Sequence, residues 1–240
     1  MRSLTTCWQK QKEFEHLISR EQLAKMIDHS LLNPSITYED IEKGCRDALK
    51  YGFAAVVVNP SHTAIVARAL RGSAVKVCST ISFPFGLSTT YTKIHETRIA
   101  LEQGAQEIDM VMNFSALKSG RGDFVLEDIK GVVNEARQAE EKVIVKVILE
   151  NCYLSESEKR EACQLTLKAR ADYVKTSTGF GKSGATEADV RLMREVVGPK
   201  FGVKAAGGIR TLEQALQMID AGANRIGASA SVSIVEALKL

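Results

Sequence analysis

The chain has 240 residues, 45% of them hydrophobic and 25% charged, a balance that suits one sizeable globular domain without disulfide staples. Its net charge of +3 is small and no stretch interleaves basic with aromatic residues, which leaves no footprint for nucleic acid. No apolar run approaches the ~20 residues of a membrane span. The opening MRSLTTCWQKQKEFEHL lacks a hydrophobic signal core, and the five cysteines (Cys7, Cys45, Cys78, Cys152, Cys163) form no CxxC pair, so free thiols in a reducing cytoplasm are expected.

In chain order, WQKQKEFEHLISR (8–20) reads as an extra N-terminal helix. Short β-branched runs then alternate with helical patterns. The strands are KMIDHSLL, AAVVVNP, AVKVCSTISF, EIDMVMNF, KVIVKVILE, DYVKTSTGF, FGVKAAGGI and RIGASA. Between them lie SHTAIVARALR, TTYTKIHETRIALEQGA, EDIKGVVNEARQAEE, ESEKREACQLTLKARA, EADVRLMREVVG and TLEQALQMIDAGA, several closing near a glycine such as Gly104 or Gly222. Strands apolar on both faces and separated by helices predict a parallel sheet covered on both sides. Eight such units of roughly 30 residues predict a single α/β domain over 1–240, a (β/α)8 barrel with residues 1–20 as an extension capping its bottom, although the repeat alone also fits an open doubly wound sheet.

Lysine is seldom buried, yet Lys146 lies in VIVKVIL, Lys175 in DYVKTST and Lys204 in GVKAAGG, 29 residues apart in each case. One βα unit has about that length, so the three are expected at similar positions on strands 5, 6 and 7, near the carboxyl ends where barrels build their sites. A lone strand lysine can snorkel to solvent; three in register argue for a shared purpose. A free lysine with a pKa near 10.4 is neutral in only about one molecule in 2,500 at pH 7, and only the neutral amine attacks a carbonyl. A neighbouring ammonium and desolvation both favour the neutral form, so facing lysines suggest one nucleophile and one electrostatic tuner.

Asp109 in EIDMVMN and Asp28 in MIDHSLL are strand carboxylates that need a cation nearby, which Lys146 or Lys204 can supply. The stretches STGFGKSG (177–184), AAGGIR (205–210) and RIGASAS (225–231) place glycines and hydroxyls after the last three strands, where backbone N–H groups and a helix start form a phosphate cradle. His29, His62 and His95 lie on separate units without i, i+4 pairing, so no metal site is expected. Cys78 reads as core and Cys152 as a loop residue.

These motifs together resemble the deoxyribose-phosphate aldolase family, from about residue 22 to 236, through IDHSLL, VVNPSH, EIDMVMNFSALKSG, VKVILE, YVKTSTGF, VKAAGGIRT and RIGAS. The resemblance implies a metal-free class I aldolase, with no cofactor, that reversibly cleaves 2-deoxy-D-ribose 5-phosphate to D-glyceraldehyde 3-phosphate and acetaldehyde. It implies Lys175 as the Schiff-base residue, Lys204 as the group that lowers its pKa, and Asp109 as general acid and base through water. Asp28, Lys146 and Thr178 match the family's surrounding hydrogen-bond network; Gly179, Gly207, Gly208, Gly227 and Ser229 match its phosphate loops. The partners implied are a small phosphorylated sugar and short aldehydes; association into a homo-oligomer is left open. Departures from the family pattern are Ser30, Val57, Ser82, Asn151 and Ala230, the last removing a hydroxyl whose hydrogen bond is worth about 1–2 kcal/mol. Two other readings stay open at this level: a lysine-dependent barrel aldolase acting on a ketose phosphate, and a catalytically silent sugar-phosphate binder.

Overall fold

The computed structural model describes residues 18–139 and 141–238. Eight parallel strands close into a barrel in sequence order: β1 (Ile27–Leu31), β2 (Ala55–Val58), β3 (Lys76–Ile81), β4 (Glu107–Val111), β5 (Ile144–Ile148), β6 (Tyr173–Lys175), β7 (Gly202–Ala206) and β8 (Arg225–Ala228), which pairs back with β1. The closed barrel, rather than the open sheet, is the architecture. Around it run α1 (Arg20–Ala24), α2 (Tyr38–Tyr51), α3 (Thr63–Ala69), α4 (Thr90–Glu102), α5 (Phe114–Lys118), α6 (Gly122–Ala136), α7 (Glu156–Lys168), α8 (Glu187–Val197), α9 (Leu212–Asp220) and α10 (Ser231–Ala237). Among the described residues no helix is long and apolar enough to cross a membrane.

Local chemistry starts these helices where they start. Ser19 with Gln22, Thr37 with Asp40, Ser155 with Glu158 and Thr211 with Gln214 form capping boxes at the N-termini of α1, α2, α7 and α9. Gly104, at φ +98°, turns the chain just beyond α4, as the sequence pattern suggests. The extra helix expected over 8–20 lies mostly outside the described residues. Within them Ile18 and Ser19 are not helical, because Ser19 caps a separate short helix, α1, whose Arg20 donates to the Leu238 carbonyl at 2.7 Å. The helices α2, α5 and α10 lie outside the six helical segments picked from sequence.

Strand alternation sorts the side chains. Ile108, Met110, Val145, Val147, Val174, Val203 and Ala205 join helix residues in the main apolar core between barrel and helices. The intervening positions face the barrel interior, and there the sequence places charge. Outside the barrel wall, Lys93 of α4 forms a buried ion pair with Asp128 of α6 (2.5 Å) and donates to the Val111 carbonyl at 3.0 Å, fixing the carboxyl end of β4 just beyond Asp109.

Candidate active site

Seven ionisable groups meet inside the barrel. Asp109 Oδ2 accepts from both Lys175 Nζ (2.8 Å) and Lys204 Nζ (2.7 Å), while its Oδ1 accepts from Lys146 Nζ (2.7 Å). Lys204 also reaches Asp28 Oδ2 at 2.5 Å, and Lys146 reaches Glu107 Oε2 at 2.6 Å and Asp28 Oδ2 at 3.6 Å. Beneath them Arg225 contacts Asp28 at 2.7 Å and Glu107 at 3.4 Å. Contacts from β4 to β6 and β7, which are not adjacent to it, can run only through the interior, so these side chains all point inward.

Lys175 and Lys204 are direct cross-strand partners, facing the same side as neighbours must in a parallel ladder. Lys146 departs from the expectation of similar heights. It pairs with Tyr173, and Lys175 pairs with Ile148, so Lys146 lies two residues deeper despite the equal 29-residue spacing. The stagger of adjacent strands in a closed barrel sets this offset, which spacing along the chain does not report.

The three lysines differ in their partners. Among the described residues Lys146 has three carboxylates around it and Lys204 has two, whereas Lys175 has only an oxygen of Asp109 that Lys204 also holds. Burial opposes the charge of each. For Lys146 and Lys204 the carboxylates outweigh burial and hold the ammonium above the ordinary lysine range. For Lys175 burial wins: Asp109 resists, Lys204 adds its repulsion, and the pKa falls below the ordinary value. Asp109 and Asp28 are held below the usual carboxylate range by their lysines, and Asp28 also by Arg225, against the cost of burial. Counted together, four cations face three carboxylates, so a neutral Lys175 is the state in which the buried cluster balances.

Lys175 is also the lysine that opens outward. A cavity of about 620 Å³ at the carboxyl ends of the strands is lined by Lys175, Thr178, Gly179, Gly207, Gly208 and Gly227, with Ser229 and Arg210 on its rim. Gly179, Gly207 and Gly208 all adopt positive φ, and Gly184 packs so close that a Cβ there would lie 2.1 Å from the Gly207 carbonyl oxygen. The loops after β6 and β7 are thereby pressed together. Gly227 serves differently from a loop glycine: it lies within β8, and a Cβ on it would sit 3.0 Å from Lys204 Cε. Its missing side chain is room for Lys204.

Sequence reading overlooked Glu107, Arg225 and Glu150. The EIDMV motif contains Glu107 two residues before Asp109, and that period-two spacing was the available signal for the same face. Cys78, read as plain core, is fully buried but touches the ion cluster, with Sγ 3.2 Å from Asp109 Oδ1. Cys152 lies in a 3-10 turn after β5. Thr178 is not in the ion cluster; its hydroxyl donates to Glu150. Among the described residues no group of three or more His, Cys, Asp or Glu side chains has metal-holding geometry.

A family model described as DeoC/LacD family aldolase matches residues 22–234. The chain belongs to this family. A deoxyribose-phosphate aldolase of Caldanaerobacter subterraneus is 54% identical over 217 residues, covering 90% of this chain and 94% of that one. Another, of Thermococcus gammatolerans, is 57% identical over 216 residues, with 89% and 95% covered. Among solved structures, the tetrameric deoxyribose phosphate aldolase of Aeropyrum pernix superposes with a TM-score of 0.88 at 34% identity, covering 98% of this chain and 97% of that one.

Three of the departures from the family pattern have a clear local setting in the fold. Ser82 stands at φ +53°, a left-handed position that glycine adopts without strain, and it is held by a hydrogen bond from its amide to Glu96 at 2.7 Å. Val57 packs in an apolar patch with Leu32, Ala55 and Cys78. Ala230 leaves the start of α10 without a side-chain cap.

Proposed function

We propose that this chain is a class I aldolase that reversibly cleaves 2-deoxy-D-ribose 5-phosphate through a Schiff base on Lys175. The observation that carries the reading is the unequal partnering of the three buried lysines: the one with the fewest carboxylates, and the lowered pKa, is the one lining the cavity. The names of relatives at 54% and 57% identity support the substrate.

The neutral Lys175 amine attacks C1 of the open-chain aldehyde and gives a carbinolamine. Protonated Lys204 and ionised Asp109, which share an oxygen contact with Lys175, form a donor and acceptor pair at the point where water must leave. The iminium then draws the C2–C3 bond electrons as the C3 hydroxyl loses its proton, with Asp109 accepting through water. This releases the three-carbon D-glyceraldehyde 3-phosphate. Because acetaldehyde carries two carbons, C2–C3 is the bond that must break. The remaining enamine takes a proton at C2, and water hydrolyses the imine to acetaldehyde and free Lys175. Gly179, Gly207, Gly208 and Ser229, which line the same cavity as Lys175, are suited to the 5-phosphate through backbone N–H groups; Asp28 and Lys146 hold Lys204 and Asp109 in place.

A coupled assay for acetaldehyde release tests the reading, with Lys175→Ala as control. Turnover abolished in the variant, and borohydride reduction with acetaldehyde leaving an ethyl group on Lys175, is expected. Full turnover by Lys175→Ala, or a label on another residue, would refute it. A ketose-phosphate aldolase would release a ketone, and a silent binder would be stabilised by sugar phosphate without turnover.

A further inference from the structure

Glu150 is a buried carboxylate, 2% exposed, that makes no ion pair within 4 Å among the described residues and lies outside the Lys–Asp cluster. It follows β5, in the left-handed region at φ 56° and ψ 59°, a conformation that strains a non-glycine residue. Its backbone neighbours are tied to the nucleophile's strand: the Leu149 amide donates to the Lys175 carbonyl at 2.9 Å and the Asn151 amide to the Thr176 carbonyl at 3.0 Å. Between these two bonds the Glu150 side chain reaches across to the loop after β6.

What it holds there is the start of that loop. The Thr178 hydroxyl donates to Glu150 Oε2, and the Thr178 amide donates to both carboxylate oxygens at 3.3 Å. The same hydroxyl accepts from the Phe180 amide at 3.0 Å. Gly181 packs so tightly on this carboxylate that a Cβ would lie 3.1 Å from Glu150 Oε1 and 2.7 Å from Cys152 Sγ. Thr178, Gly179 and Phe180 all line the cavity, and the loop's other end is fixed where Gly184 meets Gly207. Strain stored at a buried acidic residue, with Thr178 bonded to it, Phe180 tied to that hydroxyl and Gly181 packed against it, is the pattern of a built site rather than a chance contact.

We infer that Glu150 is a positioning residue for substrate specificity: through Thr178 it fixes the loop 178–181 in the shape that recognises the phosphorylated end of the substrate. It touches neither the reacting carbons nor Lys175 by hydrogen bond. Its loss therefore weakens binding of the phosphorylated sugar far more than it slows the chemistry. This inference rests on the proposed aldol cleavage.

Steady-state kinetics with 2-deoxyribose 5-phosphate and with unphosphorylated 2-deoxyribose test it on wild type, Glu150→Ala, Glu150→Gln and Thr178→Val. Glu150→Ala is expected to raise KM for the phosphorylated sugar at least tenfold with kcat lowered less than threefold, so that the preference for phosphate falls at least tenfold. Thr178→Val, which removes the same bond from the other side and serves if Glu150→Ala does not fold, should give the same split. Glu150→Gln, which keeps an acceptor, should recover most of the preference. An unchanged phosphate preference in Glu150→Ala and Thr178→Val, or a Glu150→Gln that recovers none of it, overturns the inference while wild-type turnover upholds the reaction. A wild type that cleaves neither sugar overturns both.

Discussion

Replacing Lys204 with methionine should raise the pKa of Lys175 rather than merely weaken the site. Both amines contact the same Asp109 oxygen, at 2.8 and 2.7 Å, which places the two nitrogens within about 5 Å of each other. At an effective dielectric constant near 20, two like charges at that distance repel by about 3 kcal/mol, on the order of a hundredfold in the balance between the neutral and charged amine. Without Lys204 the remaining Lys146, Lys175 and Arg225 face three carboxylates, so charge balance would draw Lys175 into the protonated state. Asp28 keeps Arg225 at 2.7 Å and Asp109 keeps Lys146 at 2.7 Å, so neither carboxylate is stranded and the variant should fold. The sign is fixed: a lowered amine pKa means the nucleophile is neutral at lower pH, and losing its cause moves the rise of activity to higher pH. The kcat/KM for acetaldehyde release should fall at least about a hundredfold at pH 7, because the proton donor is lost as well, with the rising limb of the profile displaced to higher pH. A loss of activity that is uniform across pH, with the limb in place, would refute the electrostatic reasoning.

Two further outcomes follow from particular contacts. Gly227→Ala puts a methyl 3.0 Å from Lys204 Cε and 2.9 Å from the Ala206 Cβ, so kcat should fall at least tenfold and chemical denaturation should show about 1–3 kcal/mol of overpacking cost; wild-type kcat would contradict the role given to that gap. His29 is 5% exposed, its Nδ1 has no hydrogen-bond partner among the described residues, and burial lowers its pKa to about 4. Being neutral in the fold and protonated in the unfolded chain below about 6.5, it should make stability fall by up to about 3 kcal/mol as the pH drops from 6.5 to 4. Asp28 and Asp109, with depressed pKa values, add stability that is complete above the unfolded value near 3.9 and lost as the pH falls further, so the decline should steepen there. Urea midpoints against pH check both limbs, and His29→Gln should flatten the first alone.

Much of the barrel and the meeting of Lys175, Lys204 and Asp109 was legible in the sequence because each depends on local pattern. Lysines beside valine and aspartates beside isoleucine report strand positions, and Lys175 with Lys204 lie side by side. Lys146 does not share their height, since strand stagger is a property of closure. Glu107 and Arg225 were missed because their contacts join β4, β5, β8 and β1 across the interior, and no short window contains both partners. Glu150 was missed for another reason: nothing in VKVILE announces a left-handed backbone after β5, and its partner Thr178 is 28 residues away. The α1 start at Ser19 was readable from SREQ as a capping box, but the longer amphipathic stretch before it dominated the pattern.

The most direct measurement is the rate of ethyl labelling of Lys175 by acetaldehyde and borohydride across pH, followed residue by residue by peptide mass spectrometry. A half-maximal rate below the ordinary lysine value near 10.4 is expected, with Lys146 and Lys204 unlabelled throughout. A midpoint at the ordinary value, or label arriving first on Lys204, would contradict it.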